Sequence, residues 1–216
     1  MIPSCEVSGI QYGICESSDV GELVSLLGEA FSLYDPPAVA VGLTAAEFET
    51  FVRLFGARAV ADRLTIVARS ADAREMIGAL LTEDSASPPP SGMDQLSTKF
   101  DPINDILGQL DTDYWRGQAS RPGDCLHLFL LGVARSFGGR GVAQQLVATC
   151  LENGLQRGYR LAVTEATNSV SQHIFRRLGF ADRVERSYRD HRFEGKATFA
   201  SIEGHVGPIL MDKAIA

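Results

Sequence analysis

The sequence is poor in the residues that build cross-links and metal centres. It has four cysteines, Cys5, Cys15, Cys125 and Cys150, and no two of them form a CxxC pair. That excludes a cysteine zinc site and a disulfide framework, and leaves four buried or half-buried thiols. Its four histidines, His127, His173, His191 and His205, never stand three to five residues apart, so the spacing of a metal site is missing and no metal is expected. No run of eighteen apolar residues occurs, and the N-terminal stretch MIPSCEVSGIQYGICESSD lacks a basic segment followed by an apolar one. A cytoplasmic protein with no membrane association is the expectation. Positive charge is also short, with 20 Lys and Arg against 27 Asp and Glu and a net charge of -7. Phosphate-backbone affinity needs clustered cations, so nucleic acid is not an expected partner.

What remains is an ordinary globular composition, 45% hydrophobic and 22% charged over 216 residues. That is enough for one domain spanning residues 1–216 and one buried core. The charge is unevenly placed: residues 1–120 carry 7 Lys and Arg against 18 Asp and Glu, whereas residues 121–216 carry 13 against 9. An anionic ligand on the C-terminal half and a cationic one on the N-terminal half would suit this division, and so would ordinary solvated surface.

Periodicity divides the chain into elements. A short strand in YGICES precedes a helix capped at Ser17, Ser18 or Asp19, with Val20, Leu23, Val24, Leu27 and Phe31 at helical spacing. Pro36 and Pro37 end it. Thr44 and Glu47 stand at capping-box spacing before Phe48, Phe51, Val52 and Phe55. LTIVARS and EMIGALLTE predict a hairpin, a Ser/Pro loop follows, and DPINDILGQLDTDYW has helical spacing. CLHLFLLGVA, GVAQQLVATCLENGLQRG and YRLAVTEA form a strand, helix, strand unit of parallel type. NSVSQHIFRRLGF is a short helix ended by Gly179, and the final stretches FADRVERSYRD and HVGPILMDKAI can pair as strands. The mixed order predicts one α+β domain around a mixed, mostly antiparallel sheet flanked by helices. HRFEGKATFASIEG has no clear place in it.

Gly138-Gly139-Arg140-Gly141 lies between the apolar strand and the long helix. A P-loop needs a GK[ST] ending and meets Gly141-Val142; a dinucleotide fingerprint meets Gln144 where its last small residue belongs. Two readings stay open, a plain turn and an anion cradle built from unobstructed backbone amides at a helix N-terminus.

GVARSFGGRGVAQQLV taken with EATNSVSQHIFRRLGF resembles the two central motifs of the Gcn5-related N-acetyltransferases, the GNAT superfamily, over about residues 125–181. The resemblance implies acetyl-CoA as cosubstrate and a small-molecule amine as acceptor. The family form [RQ]xxGx[GA] falls on Gly138, Gly139, Arg140, Gly141, Val142 and Ala143, whose amides would hold the pyrophosphate, with Gly138 replacing the usual Arg or Gln. It further implies that the strand ending at Leu131-Gly132-Val133 splays from its parallel neighbour and pairs with the pantetheine arm, which Asn168 steadies. The usual tyrosine acid is Phe175 here. A narrower resemblance, to the arylalkylamine N-acetyltransferase branch, makes Asp35 a catalytic base, where that branch has Glu, and gives roles to the hydroxyls of Thr167 and Ser171.

An alkyl amine is mostly protonated at neutral pH, so some group must take its proton. Asp35, Glu83, His127, Glu165 and Tyr188 are the candidates. Asp35 is a base or a turn residue before Pro36. His127, expected on one strand face with Phe129, Leu131 and Val133, is a base or a satisfied core histidine. No cysteine has a nucleophile's surroundings, so direct transfer in a ternary complex is expected, in a monomer or homodimer. Alternative acceptors are a protein N-terminus or lysine, and a non-catalytic acyl-CoA-binding module is the third reading.

Overall fold

The computed structural model describes residues 5–72, 74–118 and 120–216. Among the described residues eight strands form one sheet: β1 (Cys5–Val7), β2 (Ile10–Ile14), β3 (Ile66–Ser70), β4 (Met76–Asp84), β5 (Cys125–Val133), β6 (Leu161–Ala166), β7 (Ala181–Glu185) and β8 (Ile209–Ala214). Their order is β1-β2-β3-β4-β5-β6-β8-β7. Every neighbouring pair is antiparallel except β5 with β6. The helices are α1 (Val20–Tyr34), α2 (Pro36–Ala40), α3 (Ala45–Ala61), α4 (Asp101–Trp115), α5 (Val142–Gln156) and α6 (Ser169–Arg177).

Two apolar layers fill the faces of this sheet. Leu146, Val147 and Cys150 of α5 and Phe175 of α6 bury one face. Leu23, Val24 and Leu27 of α1, with Phe48, Phe51, Val52 and Phe55 of α3, bury the other. Those of α1 and α3 are the positions that the helical spacing marked. The capping box expected at Thr44 and Glu47 is formed, Thr44 Oγ1 accepting from the Glu47 amide at 3.2 Å. Among the described residues no helix is long and apolar enough to cross a membrane.

Three features depart from the sequence reading. Pro36 and Pro37 end α1 but also start α2, because a proline at the first helical position gives up no intrahelical bond. Asp35 is the hinge between the two helices, its backbone amide bonded to Phe31 and its side chain capping α2. The unplaced stretch after β7 is a long connection to β8, pinned by buried Tyr188, His191 and Phe199.

The third departure lies within β5. Leu81 of β4 registers with Leu130, but the next residue, Thr82, registers with Leu128, so Phe129 is an extra residue in β5. Such a bulge reverses the alternation of faces. Leu126, Leu128, Leu131 and Val133 consequently pack on the α5 side, while Phe129 and Leu130 pack on the α1 and α3 side. The expectation that His127 shares a face with Leu131 and Val133 is therefore corrected.

Candidate functional site

β5 and β6 register only over Cys125↔Leu161, Leu126↔Ala162 and His127↔Val163, although β5 runs on to Val133 and β6 to Ala166. The two strands splay, as expected, and the Thr164 hydroxyl donates to the Leu128 carbonyl at 2.9 Å where the gap begins. A cavity of about 470 Å³ occupies the gap. Leu131, Val133, Ala143, Asn168, Ser171 and Phe175 line it on the side of α5 and α6. Strand backbone that faces such a gap can pair with an extended ligand as if with another strand.

The glycine loop enters α5 beside this gap. Gly139 and Gly141 have φ of 74° and 80°, left-handed values that side chains other than glycine's adopt with strain, and Gly141 caps α5. The first-turn amides of α5 have no partner within the helix and carry its positive dipole end, so the loop can hold an anion on backbone. Gly138 has φ of -59° and needs no such freedom. Arg140 is exposed, its guanidinium 5.0 Å from the centre of the Phe137 ring, and Val142 is buried in the core. Val142 can therefore offer a ligand only its amide.

Across the gap, Asp35 is a cavity wall residue with only 5% exposure. Its Oδ1 accepts from the Thr167 hydroxyl at 2.5 Å and its Oδ2 from the Ala38 amide at 3.3 Å. Burial pushes its pKa up to about 6, against the opposing pull of those two donors. The Tyr188 hydroxyl donates to the Thr167 carbonyl at 2.7 Å and so fixes the residue that fixes Asp35. Beyond Asp35 the wall is aromatic: Phe31, Phe48, Phe51, Phe100 and Phe129.

Residues 99–180 match the family model for the acetyltransferase (GNAT) family. That segment, which holds α4, β5, the glycine loop, α5, β6 and α6, is similar to the GNAT family. Solved structures with the same fold include the C-terminal condensation domain of Ebony in complex with β-alanyl-dopamine, with a TM-score of 0.86 at 13% identity. That alignment covers 95% of this chain and 99% of the other. Arylalkylamine N-acetyltransferase 2 from Aedes aegypti has a TM-score of 0.80 at 21% identity, covering 97% and 100%. The Drosophila melanogaster polyamine N-acetyltransferase that forms N-acetylagmatine has a TM-score of 0.75 at 19% identity, covering 95% and 99%.

Within the site His127 stands apart from Asp35. Its Nε2 lies 2.7 Å from Glu165 and its Nδ1 3.4 Å from Glu83, which also pairs with Arg58 at 3.0 Å. Burial alone would push its pKa down, but Glu165 and Glu83 outweigh that and carry it up to about 10. The two carboxylates favour the charged imidazole, and a charged imidazole has no lone pair to accept a further proton. Glu83 is engaged in the same network. Tyr188 is driven far above the usual phenol range, by burial first and then by Asp35.

At the family's tyrosine position Phe175 is 2% exposed and packs edge-on to Phe180 with centroids 5.0 Å apart, so no acid is held there. Asn168 and Ser171 form a capping box on α6: Asn168 Oδ1 accepts from the Ser171 amide at 2.9 Å, and the Ser171 hydroxyl donates to the Asn168 carbonyl at 2.9 Å. His205 also lines the cavity, with Nδ1 3.2 Å from the Ser169 amide. Sequence reading gave His205 no role, because it falls in the β7–β8 connection, which has no periodicity to place it.

Proposed function

We propose that this chain transfers an acetyl group from acetyl-CoA to the primary amine of a small aromatic-ring amine, directly and within a ternary complex. The observation that carries this is Asp35, a buried carboxylate with a pKa near 6, facing the same cavity as the splayed strand and the glycine loop. The residues fit the cosubstrate. Gly139, Arg140, Gly141 and the first amides of α5 would hold its pyrophosphate, and Leu131, Val133 and Asn168 would align its arm. Bound there, the cosubstrate supplies a thioester whose acyl carbon a neutral amine can attack.

Asp35 is the base. At neutral pH it is ionised, and it takes the amine's proton as the nitrogen bonds to the acyl carbon and the carbon–sulfur bond breaks. Thr167 and Ala38 hold the carboxylate in place, and the Ser171 hydroxyl, on the donor side, can donate a hydrogen bond to the departing sulfur, which leaves as the thiolate and takes its proton from solvent. A covalent acetyl-enzyme is not supported, since burial drives Cys15, Cys125 and Cys150 up to about 12 and none of the four cysteines lines the cavity. The aromatic walls suit an arylalkylamine. So does the fold likeness to enzymes named for such amines, and to a domain solved with a dopamine amide.

The test is a panel of aryl and alkyl amines assayed by CoA release, with acetyl-CoA binding measured in parallel by calorimetry. Release with aromatic amines supports the reading. Tight acetyl-CoA binding with no release from any amine would leave a binding module, and release only with peptides would mean a protein acceptor.

A further inference from the structure

Thr167, whose hydroxyl reaches Asp35, belongs to neither of the elements beside it. Ala166 is the last residue of β6 and the last to register with β8, and Asn168 already caps α6. Thr167 therefore lies outside both the ladder and the helix. Two side chains from elsewhere hold it instead. Gln172 Nε2 donates to the Ala166 carbonyl at 3.1 Å, and the Tyr188 hydroxyl donates to the Thr167 carbonyl at 2.7 Å. The peptide groups before and after Thr167 are thus both tied down, one from α6 and one from the β7–β8 connection.

Both donors are themselves fixed. Gln172 is 9% exposed and Tyr188 1%. Gln172 Nε2 also donates to the Gly207 carbonyl at 2.9 Å, and a Cβ at Gly207 would stand 1.7 Å from the Arg186 carbonyl oxygen, so no side chain fits there. The Tyr188 amide donates to the Val206 carbonyl at 3.0 Å, and its ring packs edge-on to Phe199 with centroids 5.6 Å apart. With the two flanking peptide planes set, only χ1 of Thr167 is left to decide where its hydroxyl points, and a β-branched side chain has few choices there.

We propose that Tyr188 and Gln172 are positioning residues of the transfer, holding the Thr167 backbone so that its hydroxyl stays on Asp35. This rests on the reading of Asp35 as the base. Among the described residues no cation pairs with Asp35, and the hydrogen bonds to its carboxylate come from Thr167 and Ala38. The titratable groups on the surrounding elements are Tyr34 of α1, with Arg135 over its ring, Glu165 of β6, and Tyr188 and His205 of the connection. The Thr167 bond opposes the effect of burial on Asp35, so a loosened Thr167 would carry the carboxyl above about 6.

The experiment is kcat for CoA release against pH, at saturating acetyl-CoA and an arylalkylamine, with thermal melts of the same preparations. It compares the wild type with Tyr188→Phe, Gln172→Met, Thr167→Val and the double variant Tyr188→Phe/Thr167→Val. Tyr188→Phe and Gln172→Met keep the buried bulk and remove the donors; they stand on different elements, so either can carry the test if the other does not fold. Each is expected to move the rise of the rate upward by about half a pH unit or more, the direction in which Thr167→Val moves it. The double variant should show the rise of Thr167→Val alone, because both changes act through one hydroxyl. A rise left at the wild-type pH in either variant that folds, with or without a lower melting temperature, would overturn the proposal, and so would a double variant shifted beyond Thr167→Val. Those two outcomes leave Asp35 as the base. A wild-type profile with no rise near pH 6, or one that Asp35→Asn retains, would remove that reading and this proposal together.

Discussion

At the scale of single residues, Asp35 is the proposed base and a source of some instability. Its carboxyl is held by Thr167 and Ala38 in a site that penalises its charge, with its pKa raised from 3.8 to about 6. A carboxyl whose folded-state pKa is raised binds more protons folded than unfolded between those two values. Its ionisation therefore weakens the fold as pH rises from about 4 to about 6, and the penalty is fully present at pH 7. Asp35→Asn is expected to raise the melting temperature at pH 7, a gain on the order of 1–2 kcal/mol once the altered Thr167 bond is allowed for, while activity falls. Differential scanning calorimetry at pH 7 checks this; a lower melting temperature would mean that the ionised carboxylate stabilises its surroundings. The glycine loop offers a second test. Gly141→Val puts a β-branched residue at φ 80° and should abolish acetyl-CoA binding, whereas Arg140→Ala, which removes an exposed side chain already drawn over Phe137, should weaken it only a few-fold. Calorimetric titration distinguishes these, and unchanged affinity in Gly141→Val would make the stretch a plain turn.

At the scale of elements, the site depends on how closely α1 approaches β5. A Cβ placed at Gly132 would lie 2.8 Å from Leu27 and 3.3 Å from Leu26, so glycine at this position lets the helix that ends at Asp35 lie against the splayed strand. Gly132→Val should cost about 1–3 kcal/mol by overpacking and lower activity as α1 shifts. Thermal melts and CoA-release rates on the same preparation would show it, and an unaltered rate would mean that α1 is free to adjust. The elements legible in the sequence were those with local signals: the phenylalanine stripe of α3, its Thr44 capping box, the Gly179 helix stop, and the strand, helix, strand unit around the glycine loop. The bulge at Phe129 was not legible, because it is set by the register of β4 against β5 and leaves no local trace. That one inserted residue separates His127 from the face of Leu131 and Val133. Asp35 was placed correctly before a proline, but its burial depends on α2 resuming at once, a consequence of proline being as suited to starting a helix as to ending one.

At the scale of the whole molecule, the sheet brings an acidic half and a basic half to one cleft, with Asp35 contributed by the first and the glycine loop by the second. It also stores charge away from the chemistry. Arg58, Glu83, His127 and Glu165 tie α3 to three strands, and His127 has its pKa raised from 6.5 to about 10. A histidine whose folded-state pKa is raised adds stability that is complete below its ordinary value and is lost as pH rises through the folded one. The melting temperature should therefore decline between about pH 6.5 and pH 10. His127→Ala should reduce that slope while lowering stability at neutral pH by several kcal/mol, since it leaves two buried carboxylates facing each other. A wild-type curve flat across that range would contradict the pairing.

The central claim, that Asp35 is the base for acetyl transfer to an amine, is tested most directly by kcat for CoA release as a function of pH. The measurement uses saturating acetyl-CoA and an arylalkylamine, with the wild type beside Asp35→Asn. The wild-type rate is expected to climb through about pH 6, and the variant to be slower by at least about a hundredfold with that limb gone. A variant with the wild-type rate and the same limb would contradict it.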